Sequence, residues 1–64
     1  MTWEYRVMDR EGELAIYEVH YYEDGRIQGY GESPTFPAAE TLEELRANCN
    51  LYFAALDKPI LKYK

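Results

Sequence analysis

At 64 residues the chain has room for one domain, and burying only ~60% of its unfolded surface leaves that domain a thin surplus over chain entropy. One cysteine excludes an internal disulfide, and one cysteine with one histidine falls short of a zinc set, so association with another subunit is the stabilising device that remains. Twelve Asp/Glu against seven Lys/Arg give a net charge of −5, which disfavours nucleic acid and anionic lipid as partners.

The charge is unevenly spread. Lys58, Lys62 and Lys64 sit near the C-terminus, and the body before them holds every arginine and every carboxylate. No apolar run approaches the ~18 residues of a membrane span, and no stretch has the form of a signal peptide. A lone thiol on an apolar helical face fits a reducing compartment, so a cytoplasmic location is expected. Seven tyrosines, one tryptophan and two phenylalanines supply area to a small core and suit interfaces.

In chain order, Trp3-Glu4-Tyr5-Arg6-Val7-Met8 alternates with the period of a half-buried strand. Asp9 to Glu13 carries a turn signal, with Gly12 at the left-handed position of a three-residue hairpin loop. Leu14 to Tyr22 is a second, longer strand, Glu23-Asp24-Gly25-Arg26 a tight turn, and Ile27 to Glu32 a third strand loosened by Gly29 and Gly31. Ser33 to Ala39, with two prolines, is an extended connector. Residues 40–56 read as the only helix. Thr41 with Glu44 forms a capping box, and Pro59 marks the far end. Leu42, Leu45, Cys49, Tyr52, Phe53 and Leu56 lie on one helical face, with Cys49 an inert core thiol. Pro59 to Lys64 is a short strand or an ordered tail.

A loop over residues 10–12 pairs Val7 with Ala15, Tyr5 with Tyr17 and Trp3 with Val19; a turn at Asp24-Gly25 pairs Tyr21 with Gln28 and Val19 with Tyr30. Paired residues share a face, so these aromatics form one wall for the helix to cover. A Gly bulge at the second turn instead puts Ile27 on that wall and Tyr30 off it. One core is expected from Trp3, Tyr5, Val7, Tyr17 and Val19 with Leu42, Leu45, Tyr52, Phe53 and Leu56. The opposite face then carries Met8, Leu14, Ile16, Tyr22 and Ile27, an uncovered apolar area of the kind that marks a partner. With Ile60 and Leu61 of the tail, these are the candidate interface residues.

Chemistry-bearing clusters are few. In this register Glu4 lies opposite Glu18 and Thr2 opposite His20, a set able to bind a cation or form an acid/base pair, but one that also reads as an exposed ladder offset by Arg6. Gly29-Tyr30-Gly31 is not a phosphate loop, because no helix follows it directly. No catalytic residue, metal site or cofactor is expected.

Strand order, proline-containing connector and Glu40-Thr41-Leu42-Glu43-Glu44-Leu45 together resemble the N-terminal module of HicB-like antitoxins, in which a three-stranded antiparallel sheet leads into a helix opened by a similar motif. Glu18 to Gly25, Glu40 to Leu45 and Lys58-Pro59-Ile60-Leu61 are similar to a group of small uncharacterised bacterial proteins, over most of the chain. Ala39 stands where HicB-like chains usually have glycine, the Asp24-Gly25 turn differs from their second hairpin, and the chain has no room for their DNA-binding domain. The resemblance implies the fold, dimerisation and an acidic surface able to mask a basic partner; it implies no DNA binding and no activity.

The expected fold is one α+β domain over residues 1–64: a three-stranded antiparallel sheet in β-β-β-α order, one helix on one face, and a short C-terminal strand or tail. The expected function is a non-enzymatic, homodimeric, acidic protein-interaction module, antitoxin-like towards a basic protein. A small-molecule or metal-binding protein using Glu4, Glu18 and His20, and a structural accessory subunit, are the alternatives.

Overall fold

The computed structural model describes residues 2–64. Its element order is β1 (Thr2–Arg10), β2 (Glu13–Tyr21), β3 (Ile27–Tyr30), α1 (Leu42–Ala55) and β4 (Leu61–Lys62). The protein is α+β, with one helix and a curled, mixed four-stranded sheet in the order β3-β2-β1-β4. β4 runs parallel to β1, pairing Leu61 with Met8, so the C-terminal segment is a strand.

The first hairpin turns in two residues rather than three. Glu11 at φ 53° and Gly12 at φ 90° both lie in the left-handed region, and Arg10 pairs directly with Glu13. Positive φ at both central residues makes this the primed turn whose twist matches the flanking strands. The Asp9 carboxylate accepts the Gly12 N–H at 2.9 Å and braces the turn. Shortening the loop by one residue moves every pairing: Met8 faces Ala15, Arg6 faces Tyr17, and Glu4 faces Val19. Since a one-residue slip exchanges faces, the expected single wall does not exist. Trp3, Tyr5 and Val7 lie on an outer face with Leu14, Ile16, Glu18 and His20. Met8, Ala15, Tyr17, Val19 and Tyr21 lie on the inner face.

The second hairpin reconciles the two registers. Glu23 to Gly25 form a three-residue loop closed by Tyr22 N–H to the Arg26 carbonyl at 2.8 Å, which sets Tyr21 opposite Ile27. A bulge then restores Val19 opposite Tyr30, the pairing expected from sequence. Past β3, the Gly31 and Thr35 N–H groups donate to the Glu18 and Ile16 carbonyls at 3.0 and 2.9 Å, so the connector follows the edge of β2.

Each face has its own core. On the inner face Met8, Tyr17 and Val19 are almost wholly buried beneath Tyr21, Tyr30, Leu61 and Tyr63. Tyr63 packs against Tyr17 and Tyr30 at centroid distances of 5.3 and 4.8 Å. The Tyr30 hydroxyl accepts the Lys64 N–H at 2.9 Å and lies 3.0 Å from the Lys64 carbonyl, linking the two edges of the sheet across its inner face. On the outer face α1 lies over β1, with the Tyr52 ring 4.2 Å from that of Tyr5 and Val7 and Ala55 buried alongside.

The helix begins where expected: Thr41 is the N-cap, its hydroxyl accepting the Glu44 N–H at 3.1 Å, and Glu43 and Glu44 complement the positive end of the helix dipole. Its packed face differs. Tyr52 and Ala55 are buried and Leu45 and Asn48 half-buried, whereas Leu42 and Phe53 are 70% and 72% exposed, and Cys49 and Leu56 are exposed too. The seated stripe is rotated towards Asn48 and Ala55, and the expected core side chains Leu42, Cys49, Phe53 and Leu56 form an uncovered flank. Half-exposed Trp3 also stands at the margin, against Tyr5.

Truncating a buried methionine costs about 2–5 kcal/mol, whereas surface changes cost within ~0.5 kcal/mol. Met8→Ala is therefore expected to lower the urea midpoint far more than Leu42→Ala. Equal midpoints for the two variants would show that Met8 does not carry the inner core.

Candidate functional site

The expected interface residues do not form one patch. Met8 is 1% exposed and Leu61 is half-buried against the same core, because the shorter first turn directs Met8 inward. Leu14 and Ile16 lie on the outer face beside the helix, Tyr22 and Ile27 at the other end of the sheet, and Ile60 is exposed before β4. The Glu4/Glu18/His20 ladder is likewise split. Glu4 opposes Val19 on the inner face, leaving Glu18 and His20 3.3 Å apart on the outer one. Among the described residues, no three His, Cys, Asp or Glu side chains converge on a cation position.

Glu4 instead anchors a polar cluster. Its carboxylate accepts Lys58 Nζ at 2.5 Å, the Tyr21 hydroxyl at 2.7 Å and Arg6 at 3.3 Å, while Arg6 also donates to the Tyr21 oxygen at 3.0 Å and the Pro59 carbonyl at 2.7 Å. These bonds tie the segment after α1 to the start of the sheet. The Lys58 hydrogen bond, followed by that from Tyr21, holds the Glu4 carboxyl below its ordinary 4.5. Burial, then the bond to Glu4, raises the Tyr21 phenol. This is a structural clasp between groups already paired with one another.

The least covered part of the outer face is apolar. A groove of about 580 Å³ opens between the outer face, the proline connector and the C-terminal half of α1, with Val7, Leu14, Ile16, Phe36, Tyr52 and Leu56 in its walls. The connector is held by the Thr35 N–H to Ile16 and by the Ala38 N–H to the Asn48 side chain at 3.2 Å; Asn48 in turn donates to the Tyr5 hydroxyl at 3.4 Å. Burial pushes the Tyr52 phenol above its ordinary 10.0; the Thr35 hydroxyl opposes this, and the Tyr5 hydroxyl and the Glu18 charge reinforce it. A second depression, on the inner-face side of the sheet where Glu13 and Tyr17 lie, shares only Pro34 with the groove. Arg10 borders this depression, and its guanidinium stacks 4.2 Å from the Tyr63 ring and donates to the Glu32 carbonyl at 2.8 Å.

Leu56 joins this groove to the uncovered flank of α1. At 100° per residue Leu42, Cys49, Phe53 and Leu56 lie within one narrow strip beside the packed face. Sequence periodicity located the strip but assigned it to the core. The groove has no signature in sequence, since it depends on how the connector follows the edge of β2.

The clasp has a pH signature. With its folded-state pKa depressed, Glu4 contributes stability that is present above about 4.5 and is lost as pH falls through the folded value. Urea unfolding at pH 6 and pH 3 is expected to show a smaller loss of stability on acidification in Glu4→Gln than in the parent. An unchanged acid dependence would show that the clasp contributes nothing.

No family model, curated protein or solved structure matches this chain.

Proposed function

We propose that the protein is a non-enzymatic interaction module that self-associates through the uncovered flank of α1 and presents an acidic surface to a basic protein partner. The observation that carries this reading is the strip of Leu42, Cys49, Phe53 and Leu56, which nothing in the described residues covers. Contiguous exposed apolar surface is characteristic of interaction sites. Only six hydrophobic residues among the described residues are buried, so the fold has reason to gain stability from a second copy. A twofold arrangement lets one strip serve both subunits.

Charge supports the second half of the proposal. Among the described residues only Glu4 and Asp24 have a lysine or arginine within ion-pairing distance, while Arg6, Arg26 and Lys58 are already engaged. The remaining carboxylates give an acidic field that steers cations in and repels phosphate backbones. The resemblance of the helix opening and strand order to HicB-like modules points the same way, towards an antitoxin-like protein that masks a basic partner.

Sedimentation of the parent at micromolar concentration is expected to give a dimer, and Phe53→Glu a folded monomer. Because Phe53 is largely exposed, the variant is expected to keep its far-ultraviolet spectrum. A monomeric parent, or a dimer indifferent to both Phe53→Glu and Leu42→Glu, would overturn self-association through this flank.

A further inference from the structure

We infer that the groove between α1, the proline connector and the outer sheet face binds a small, uncharged aromatic alcohol, its ring against the apolar walls and its hydroxyl at Tyr52 and Thr35. This goes beyond self-association and does not depend on it.

The groove is a trough rather than a flat patch: Val7 and Tyr52 in its lining are buried, whereas Leu14, Phe36 and Leu56 are exposed. Its volume of about 580 Å³ falls within the roughly 300–1,000 Å³ of small-molecule sites, which are mostly apolar with a few polar groups that orient the ligand. The Phe36 and Tyr52 rings offer flat surfaces against which an aromatic ring packs. Two hydroxyls interrupt the hydrocarbon. Thr35 gives its proton to the Ile16 carbonyl at 3.3 Å, so its oxygen has only lone pairs left to offer. Tyr52 adds a phenol oxygen, under the influence of the Thr35 and Tyr5 hydroxyls. A donor on the ligand completes this end of the groove. Among the described residues, none that lines the groove is charged. A carboxylate would lose its water there with no cation to replace it, and the Glu18 charge felt at the Tyr52 phenol would repel it. An ammonium would likewise find no carboxylate in the lining. A neutral hydroxyl avoids both penalties. The connector is held at Thr35 to β2 and at Ala38 to α1, so the walls stand ready before the ligand arrives.

The probe is naphthol, titrated into isotope-labelled protein at neutral pH and followed by amide chemical shifts. Its controls are the methyl ether of naphthol, which keeps the rings and loses the donor, and naphthoate, which carries a charge. Naphthol is expected to bind one saturable site, with the shifts centred on Leu14, Ile16, Thr35 and Phe36. The ether is expected to bind roughly two- to tenfold more weakly, the worth of one hydrogen bond, and naphthoate more weakly than naphthol. Tyr52→Phe and Thr35→Val, which remove a hydroxyl and keep the shape, are each expected to narrow the gap between naphthol and its ether. Leu14→Glu and Phe36→Glu are expected to weaken naphthol on the order of tenfold or more through lost apolar contact, and Phe53→Glu to leave it unchanged. Leu14 and Phe36 are exposed, so both variants are expected to fold, and circular dichroism checks this.

Absence of saturable naphthol binding would overturn the inference, and so would shifts centred on Leu42 and Phe53, which would place the ligand on the helix flank. An affinity that Leu14→Glu and Phe36→Glu leave intact would overturn the groove as the site. Equal binding of naphthol and its ether by the parent would overturn recognition of the hydroxyl. If Leu14→Glu dissociated a dimer of the parent in sedimentation, a second copy would occupy the groove and the inference would fall. Repeating the titration on Phe53→Glu separates the site from self-association, since naphthol binding by that monomer supports the groove whatever the parent's oligomeric state.

Discussion

The two-residue turn at Glu11-Gly12 is the constraint on which the rest of the structure depends. It sets the register of the two longest strands, and that register decides which side chains share a face. Glu11 adopts a left-handed conformation that a non-glycine residue enters at a cost of roughly 1–2 kcal/mol. The alternative, one residue longer, would gather Tyr17 and Val19 with Tyr5 and Val7 and strip the inner face of its centre. With the shorter turn both faces have something apolar to bury. The curled sheet closes over Met8, Tyr17 and Val19, and α1 covers Tyr5 and Val7.

Two cores on opposite sides of one small sheet explain how the surface is apportioned. The inner face is finished within the chain: Tyr63 lies across it, and the Glu4-Arg6-Lys58 clasp holds the segment leading to β4. The outer face is covered only in part. α1 sits over β1, leaving Leu14 and Ile16 to face the connector across open space. The candidate surfaces therefore lie on the helix side, with the helix flank and groove meeting at Leu56. No helix among the described residues is long and apolar enough to cross a membrane.

The types of β1, β2, β3 and α1 and most of their limits were legible in the sequence, because each rests on local chemistry; β3 stops at Tyr30 rather than Glu32, and the C-terminal segment stayed open between strand and tail. Alternation marks β1, the Thr41 hydroxyl caps α1, and Gly12 and Gly25 stand where φ is positive. The register of the first hairpin was not legible. Glu-Gly is a weaker tight-turn signal than Asn-Gly or Asp-Gly, and both loop lengths place Gly12 in the left-handed region. That single ambiguity displaced Met8 from the expected interface to the core and separated Glu4 from Glu18. The helix misled for another reason. Its most apolar stripe includes Leu42 and Phe53, yet Asn48 and Ala55 are better seated, Asn48 by hydrogen bonds to both the connector and Tyr5. Hydrophobicity alone does not register those bonds.

The closure of the inner face by the C-terminal segment carries a kinetic consequence. Arg6 reaches the Pro59 carbonyl across 53 residues of sequence, and β4 pairs with β1 over a similar span. Closing so long a loop is entropically unfavourable until other contacts have shortened it, so topology favours the local β1–β2 hairpin forming ahead of both the tail and α1, whose Tyr52 meets Tyr5 over a similar span. While the chain is being synthesised, Met8, Tyr17 and Val19 remain wet until Tyr63 has emerged. The nascent protein thus passes through an interval in which its best-buried residues are its most adhesive ones, and the speed of tail docking sets how long that interval lasts.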